Sequence, residues 1–310
     1  MMKSPGIHHI SAICKDPRRN LAFYTDVLGL RLVKRTVNFD DPGTWHLYYG
    51  DELGRPGTAL TFFPWPRVTQ GRDGLGLAVE TAFLIPQNSL SYWIGRLMEK
   101  SVAHETPEQR FGATVLPLRD HDGLRLALVA DKRAGAIAGW AGGSVPEDHA
   151  IRGFAGVTLW VGDPEPSSRV LTDAFGFRAA GSEDSRHRYV VDDAALGTVV
   201  DLRATPGFLA GRMGAGTIHH VAFRAPDGDT QVAMAERVRN LGLRPTDPVD
   251  RQYFRSVYFR EPGGVLLEIA TDGPGFTIDE SVETLGSSLR LPPWYEPHRV
   301  QIAAGLAPLD

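Results

Sequence analysis

Cysteine is all but missing from this chain. Cys14 is the single one among 310 residues, so no intramolecular disulfide can form. Long apolar runs are missing as well; no stretch approaches the roughly 18 residues a membrane-crossing helix needs. The opening Met1-Met2-Lys3-Ser4-Pro5-Gly6 has no apolar core of the kind a signal peptide carries. With one thiol and no such leader, a reducing cytoplasm is the expected location. There is no basic excess: 33 Lys and Arg face 37 Asp and Glu, for a net charge of -4. No basic stripe stands out, which argues against a nucleic-acid partner. What remains, 42% hydrophobic and 23% charged residues, is the composition of a globular protein with a large buried core. The length suits two domains or one pseudo-symmetric pair.

Two histidine pairs stand in matching places at opposite ends of the chain, in Gly6-Ile7-His8-His9-Ile10-Ser11 and Thr217-Ile218-His219-His220-Val221-Ala222. Each opens an apolar, strand-like segment that leads to a helix-like segment ending in Gly. Four segments share this plan of strand, helix, then further strands, beginning near Gly6, Leu77, Gly153 and Thr217. Asp16-Pro17 and Asp163-Pro164 read as an N-cap followed by Pro at the first helical position. Ser89 is the expected cap of the second helix. Val232, Ala235, Val238 and Leu241 form the expected inward stripe of the fourth. The Gly- and Ala-rich stretch 134–146 links two halves, giving expected units 1–145 and 146–275. Beyond them, 276–310 reads as an extended strap packed on the body.

Laid on one another, the repeats offer His9 and His220 at one first-strand position, where the third has Ala155-Gly156 and the second Glu80-Thr81 nearby. At a last-strand position the fourth repeat has Glu268, inside the otherwise apolar Val265-Leu266-Leu267-Glu268-Ile269-Ala270, where a lone charge is costly. The counterparts are Thr61, Ala127 and Asp201. Two histidines and one carboxylate form a facial triad suited to Fe(II). Neither the first nor the fourth repeat holds such a set alone, so those two must meet in space, leaving the second to pack on the third. The competing reading is structural: strand histidines in a core, and a buried Glu paired with an Arg. Strand alternation sends neighbours to opposite faces, and parity alone does not say which histidine of each pair faces a cavity. Asp201 lacks a partner histidine and reads as a salt-bridge residue.

On these residues, and on Arg31 to Thr36, His46-Leu47-Tyr48, Gly57-Thr58, Arg251 and Tyr258 through Glu268, the chain resembles the vicinal oxygen chelate superfamily. Within it, the chain resembles the dioxygenases that cleave hydroquinone rings. The resemblance covers most of the chain. It implies an α+β fold of four βαβββ modules in two tandem pseudo-symmetric halves, with mixed curved sheets forming a half-barrel cavity. It implies His9, His220 and Glu268 as ligands of Fe(II), with Mn(II) the other candidate. It gives His8 and His219 as supporting histidines, Arg251 as a substrate-side arginine and Tyr258 as a pocket tyrosine. The implied activity is extradiol-type insertion of O2 into a hydroquinone-type or catechol-type aromatic diol. In that scheme His219 or His8 takes the phenol proton, Tyr258 donates a hydrogen bond to a bound oxygen, and Arg251 steadies anionic charge. Tyr258 as a packed strand aromatic and Arg251 in a surface salt bridge are the alternatives.

Two rival functions share the scaffold. A glyoxalase-like metal-dependent isomerase would usually have two carboxylates, and Thr61 in place of one weighs against it. A metal-poor drug-binding resistance module would lack the His, His and Glu set. Elsewhere, Lys34-Arg35 is expected to be solvated, His46 to be core or close to the site, and Cys14 to be a small buried hydrophobe. Dimerisation through a sheet edge or the tail is compatible with the sequence and is not specified by it.

Overall fold

A computed structural model describes residues 4–192 and 194–309. The first module runs β1 (Ile7–Cys14), α1 (Pro17–Ala22), β2 (Arg31–Asn38), β3 (Asp41–Gly50) and β4 (Ala59–Pro64). The second runs β5 (Leu77–Pro86), α2 (Leu90–Glu99), β6 (Glu108–Arg110), β7 (Ala113–Arg119) and β8 (Arg125–Asp131). The third has β9 (Gly153–Val161), α3 (Pro164–Arg169), β10 (Arg178–Glu183), β11 (Arg186–Val190) and β12 (Val199–Ala204). The fourth has β13 (Thr217–Ala225), α4 (Gly228–Asn240), β14 (Val249–Asp250), β15 (Arg255–Arg260) and β16 (Leu266–Thr271). A last helix, α5 (Arg299–Gly305), lies in the tail.

Among the described residues sixteen strands form two eight-stranded mixed sheets, ordered β14-β15-β16-β13-β1-β4-β3-β2 and β10-β11-β12-β9-β5-β8-β7-β6. The first module therefore joins the fourth and the second joins the third, the pairing expected from the division of the candidate ligands. In each sheet the two first strands meet antiparallel at the centre, β1 on β13 and β5 on β9. Each also runs parallel to the last strand of its own module. Alternation along β1 sends Ile10, Ala12 and Cys14 into the main core and leaves His9 and Ser11 on the other face. No helix among the described residues is long and apolar enough to cross a membrane.

Local signals explain the helix starts. Asp16 accepts from the backbone N–H groups of Arg18 and Arg19, and Asp163 accepts from that of Glu165, each with Pro just inside the helix. Ser89 stands at the N-cap position of α2 but its side chain makes no capping bond; its hydroxyl lies 3.0 Å from His149 Nδ1 and a 3-10 turn precedes the helix. In α4 Val232 is 54% exposed, while Met234, Ala235 and Val238 face inward.

The tail docks as a strap, and Lys34 is its anchor. Lys34 is fully buried, contrary to its expected solvation. Its ammonium binds Asp279 at 2.6 Å and also Glu280, and lies over the Tyr253 ring. A buried lysine is tolerated only with such partners. Further along, Tyr295 donates to the Phe39 carbonyl and Trp45 Nε1 to that of Ala307.

Candidate metal centre

At the middle of the first sheet, bulges interrupt the pairing of β1 with β13. Ile7 faces Phe223 while His9 faces Ala222, leaving His8 as the extra residue; Ser11 faces His220 while Ala12 faces Ile218, leaving His219 as the extra residue. A bulge puts two side chains where regular pleating puts one, which is why simple alternation fails at both pairs. Consecutive histidines touch: His8 Nδ1 lies 2.9 Å from His9 Nδ1, and His219 Nδ1 lies 2.8 Å from His220 Nδ1.

With their Nδ1 atoms so engaged, His9 and His220 turn their Nε2 atoms toward each other, 3.3 Å apart. Glu268 arrives from β16, where it is fully buried. Its Oε2 lies 3.3 Å from His9 Nε2 and 2.9 Å from His220 Nε2. Its Oε1 accepts from Ser256 Oγ at 2.5 Å. Three ligand atoms thus converge on one point. Mutually cis ligands at the roughly 2.1 Å bond lengths of such donors would stand about 3 Å apart, so the spacing fits one small divalent cation bound on a single face. Burial raises the Glu268 pKa, but His9 and His220 outweigh it and hold the carboxyl well below its usual range. Burial, with its neighbour His220 charge, lowers His219 to about 3, and burial also lowers His220 against the pull of Glu268.

The triad opens into a cavity of about 350 Å³. Its walls are aromatic, with Phe39, Phe63, Trp65 and Phe254, and carry polar groups on His46, Tyr48, His219, Arg251 and Tyr258. Arg251 Nε donates to Tyr258 OH at 3.2 Å, and its two terminal nitrogens grip Asp40 at 3.0 and 2.9 Å. Burial, reinforced by the Glu268 charge, pushes the Tyr258 phenol up. Of the sequence-derived site residues, His9, His219, His220, Arg251 and Tyr258 line the cavity, with Glu268 at its base. His8 does not. It sits behind His9, its ring 5.2 Å from Phe254, and borders a smaller space with Leu53, Gly54 and Phe276.

The two modules are related residue by residue. Ser11 pairs with Thr61 across β1 and β4, and Ala222 with Glu268 across β13 and β16. Tyr48 pairs with Thr61 and Tyr258 with Glu268. Ser256, which holds Glu268, therefore corresponds to His46, whose Nε2 lies 2.9 Å from Thr61 Oγ1 and whose Nδ1 lies 2.9 Å from Tyr48 OH. Ser256 and Asp40 were not found by sequence reasoning. Ser256 had a signal, since alternation puts it on the Tyr258 face. Asp40 had none, because its partner is 211 residues away.

The second sheet repeats the bulges without the ligands. Val79 is the extra residue on β5 and Ala155 on β9, so Glu80 (not Thr81) and Gly156 hold the positions of His9 and His220. Asp201 stands where Glu268 does. Here arginines pair with the acids: Arg110 holds Glu80, while Arg186 and Arg188 hold Asp201.

The Glyoxalase/Bleomycin resistance protein/Dioxygenase superfamily model matches residues 6–128 and 153–269. The chain belongs to this superfamily. MhqO of Bacillus subtilis (strain 168), whose name assigns it provisionally to the ring-cleaving dioxygenases, is 45% identical over 308 residues, covering 99% of this chain and 97% of its own. The chlorohydroquinone/hydroquinone 1,2-dioxygenase of Sphingobium indicum is 33% identical over 308 residues, covering 96% and 95%. A crystal structure of a Bacillus subtilis protein described provisionally as a dioxygenase superposes with a TM-score of 0.95 at 44% identity, over 100% of this chain and 99% of that one. Glyoxalase I from Zea mays, at 18% identity and a TM-score of 0.62 over 86% and 92%, shares the superfamily fold.

Proposed function

We propose that this superfamily member is a ring-cleaving dioxygenase, using Fe(II) held by His9, His220 and Glu268 to act on a hydroquinone-type aromatic diol. The observation that carries the reading is the convergence of those three side chains at the base of an aromatic-walled cavity. It is supported by near full-length similarity to a relative named for hydroquinone cleavage. Two histidines and a carboxylate leave positions open for two small ligands, as a dioxygenase needs; Mn(II) suits the same donors. When bound, the iron supplies the electron relay between an electron-rich ring and O2 that side chains cannot provide.

The chain's own residues bind, orient and donate. For His9 and His220 to offer Nε2 lone pairs, each must carry its proton on Nδ1 and donate it to His8 or His219. His8, outside the cavity, thus fixes the tautomer and ring angle of His9. His219 does the same for His220 and is left with its proton on Nε2, on the cavity side. With its Nδ1 engaged by His220, the Nε2–H is the group His219 has left to offer, so His219 is assigned as a donor to a substrate or oxygen atom. Tyr258 takes the Arg251 N–H on a lone pair, which frees its own proton to donate. Phe39, Phe63, Trp65 and Phe254 clasp an aromatic ring and keep water out.

The test is anaerobic Fe(II) loading followed by oxygen uptake with a panel of hydroquinones and catechols. Uptake matched by loss of the diol supports the proposal. No uptake with any diol, together with a measurable isomerase rate, would favour a glyoxalase-like activity instead.

A further inference from the structure

Arg251 is the only lysine or arginine among the described residues lining the cavity. A lone arginine beside an aromatic-walled site would normally recruit a carboxylate on the ligand. Here the guanidinium is already committed: both terminal nitrogens grip Asp40 and the third nitrogen donates to Tyr258. Asp40 comes from the turn between β2 and β3, in the first module, while Arg251 comes from the fourth. The pair therefore spans the cavity between modules. Its turn is held from behind, since Tyr295 donates to the Phe39 carbonyl and Trp294 packs on the Phe39 ring. The Asp40 side chain is 72% exposed and that of Arg251 18%, so the acid presents negative charge outward while cancelling the charge of the one arginine on the wall.

We propose that Asp40 is a specificity-determining residue: by neutralising Arg251 and facing solvent with its own charge, it selects diols whose rings carry no acidic substituent. The inference rests on the aromatic-diol reading, but it concerns binding and does not require turnover. The usual role of such an arginine is thereby altered. Arg251 orients Tyr258, and it becomes a carboxylate receptor only when Asp40 is gone.

The experiment compares 2,5-dihydroxybenzoate with its methyl ester, which differ in charge while sharing the ring and both hydroxyls. Equilibrium dissociation constants are measured anaerobically by calorimetry on the Fe(II)-loaded wild type, Asp40→Asn and Asp40→Glu. Asp40→Asn keeps the shape and an acceptor for Arg251 while removing the charge. The wild type should prefer the ester. Asp40→Asn should shift the acid-to-ester preference toward the acid by roughly fivefold, a modest factor because the pair is partly solvated. Asp40→Glu should retain the wild-type ratio. Equal weakening of both ligands in Asp40→Asn, or an unchanged ratio, would overturn the proposal and leave Asp40 a structural residue. Failure of every diol to support oxygen uptake would sink the functional reading while leaving this ratio measurable.

Discussion

Thr61 and Glu268 occupy the same point of two related modules, each beside a first strand and each opposite a tyrosine, Tyr48 or Tyr258. One side chain completes the proposed metal triad; the other is tied to Ser11 at 2.7 Å and to His46. On the proposed metal assignment, this difference sets the number of protein ligands at three. Thr61→Glu should place a second carboxylate at the centre and occupy a position that a substrate or oxygen needs. Metal content should be retained and most oxygen uptake lost. Thr61→Val, which adds no ligand, should keep both. Metal analysis beside an oxygen electrode distinguishes the two.

Ser256 holds the Glu268 oxygen that points away from the two histidines. Removing such a support typically lowers metal affinity by roughly 10- to 100-fold. Ser256→Ala should show that loss in a competition titration against a chelator, with the fold unchanged by circular dichroism.

The strap has a heavier structural share. Lys34→Met would strand the carboxylates of Asp279 and Glu280, the latter buried, with one of their cations gone. Breaking a buried pair from one side costs about 3–5 kcal/mol. Urea unfolding should show a loss of that order, and the Tyr253–Phe254 segment on which His9 rests should loosen with it.

Acid should destabilise the metal-free protein. His219 is held near 3 in the fold against 6.5 for the free side chain, and His8, His46 and His220 are lowered too. Below 6.5 the unfolded chain binds protons that the folded chain refuses. Stability therefore falls as pH drops through that window, by at most about 1.4 kcal/mol per pH unit for each histidine. Urea midpoints in EDTA at pH 7 and pH 5 should differ in that direction. His219→Gln should flatten the slope.

Much of this is legible in the amino-acid sequence. The repeats are marked by Asp-Pro helix starts in the first and third, by Gly29, Gly176 and Gly242 after the helices of the first, third and fourth, and by a helical apolar stripe in the second. The meeting of first and last modules follows from a ligand set divided between them. The bulges were not legible, because two adjacent histidines read the same whether a strand is regular or carries an extra residue. For that reason the position of His8 behind His9 emerged only from the register with β13. Lys34 reads as surface because its partners, Asp279 and Glu280, lie some 245 residues on in the tail. Asp40 was hidden in the same way, by a partner in another module.

The most direct test of the central claim is iron content and oxygen uptake measured in parallel on the wild type, His9→Ala and Glu268→Gln. With an aromatic diol present, the wild type should bind iron and consume oxygen, and His9→Ala should do neither. Glu268→Gln should bind iron weakly and lose uptake. Normal iron content in His9→Ala, or undiminished oxygen uptake in either variant, would contradict the assignment of the triad as the catalytic metal centre.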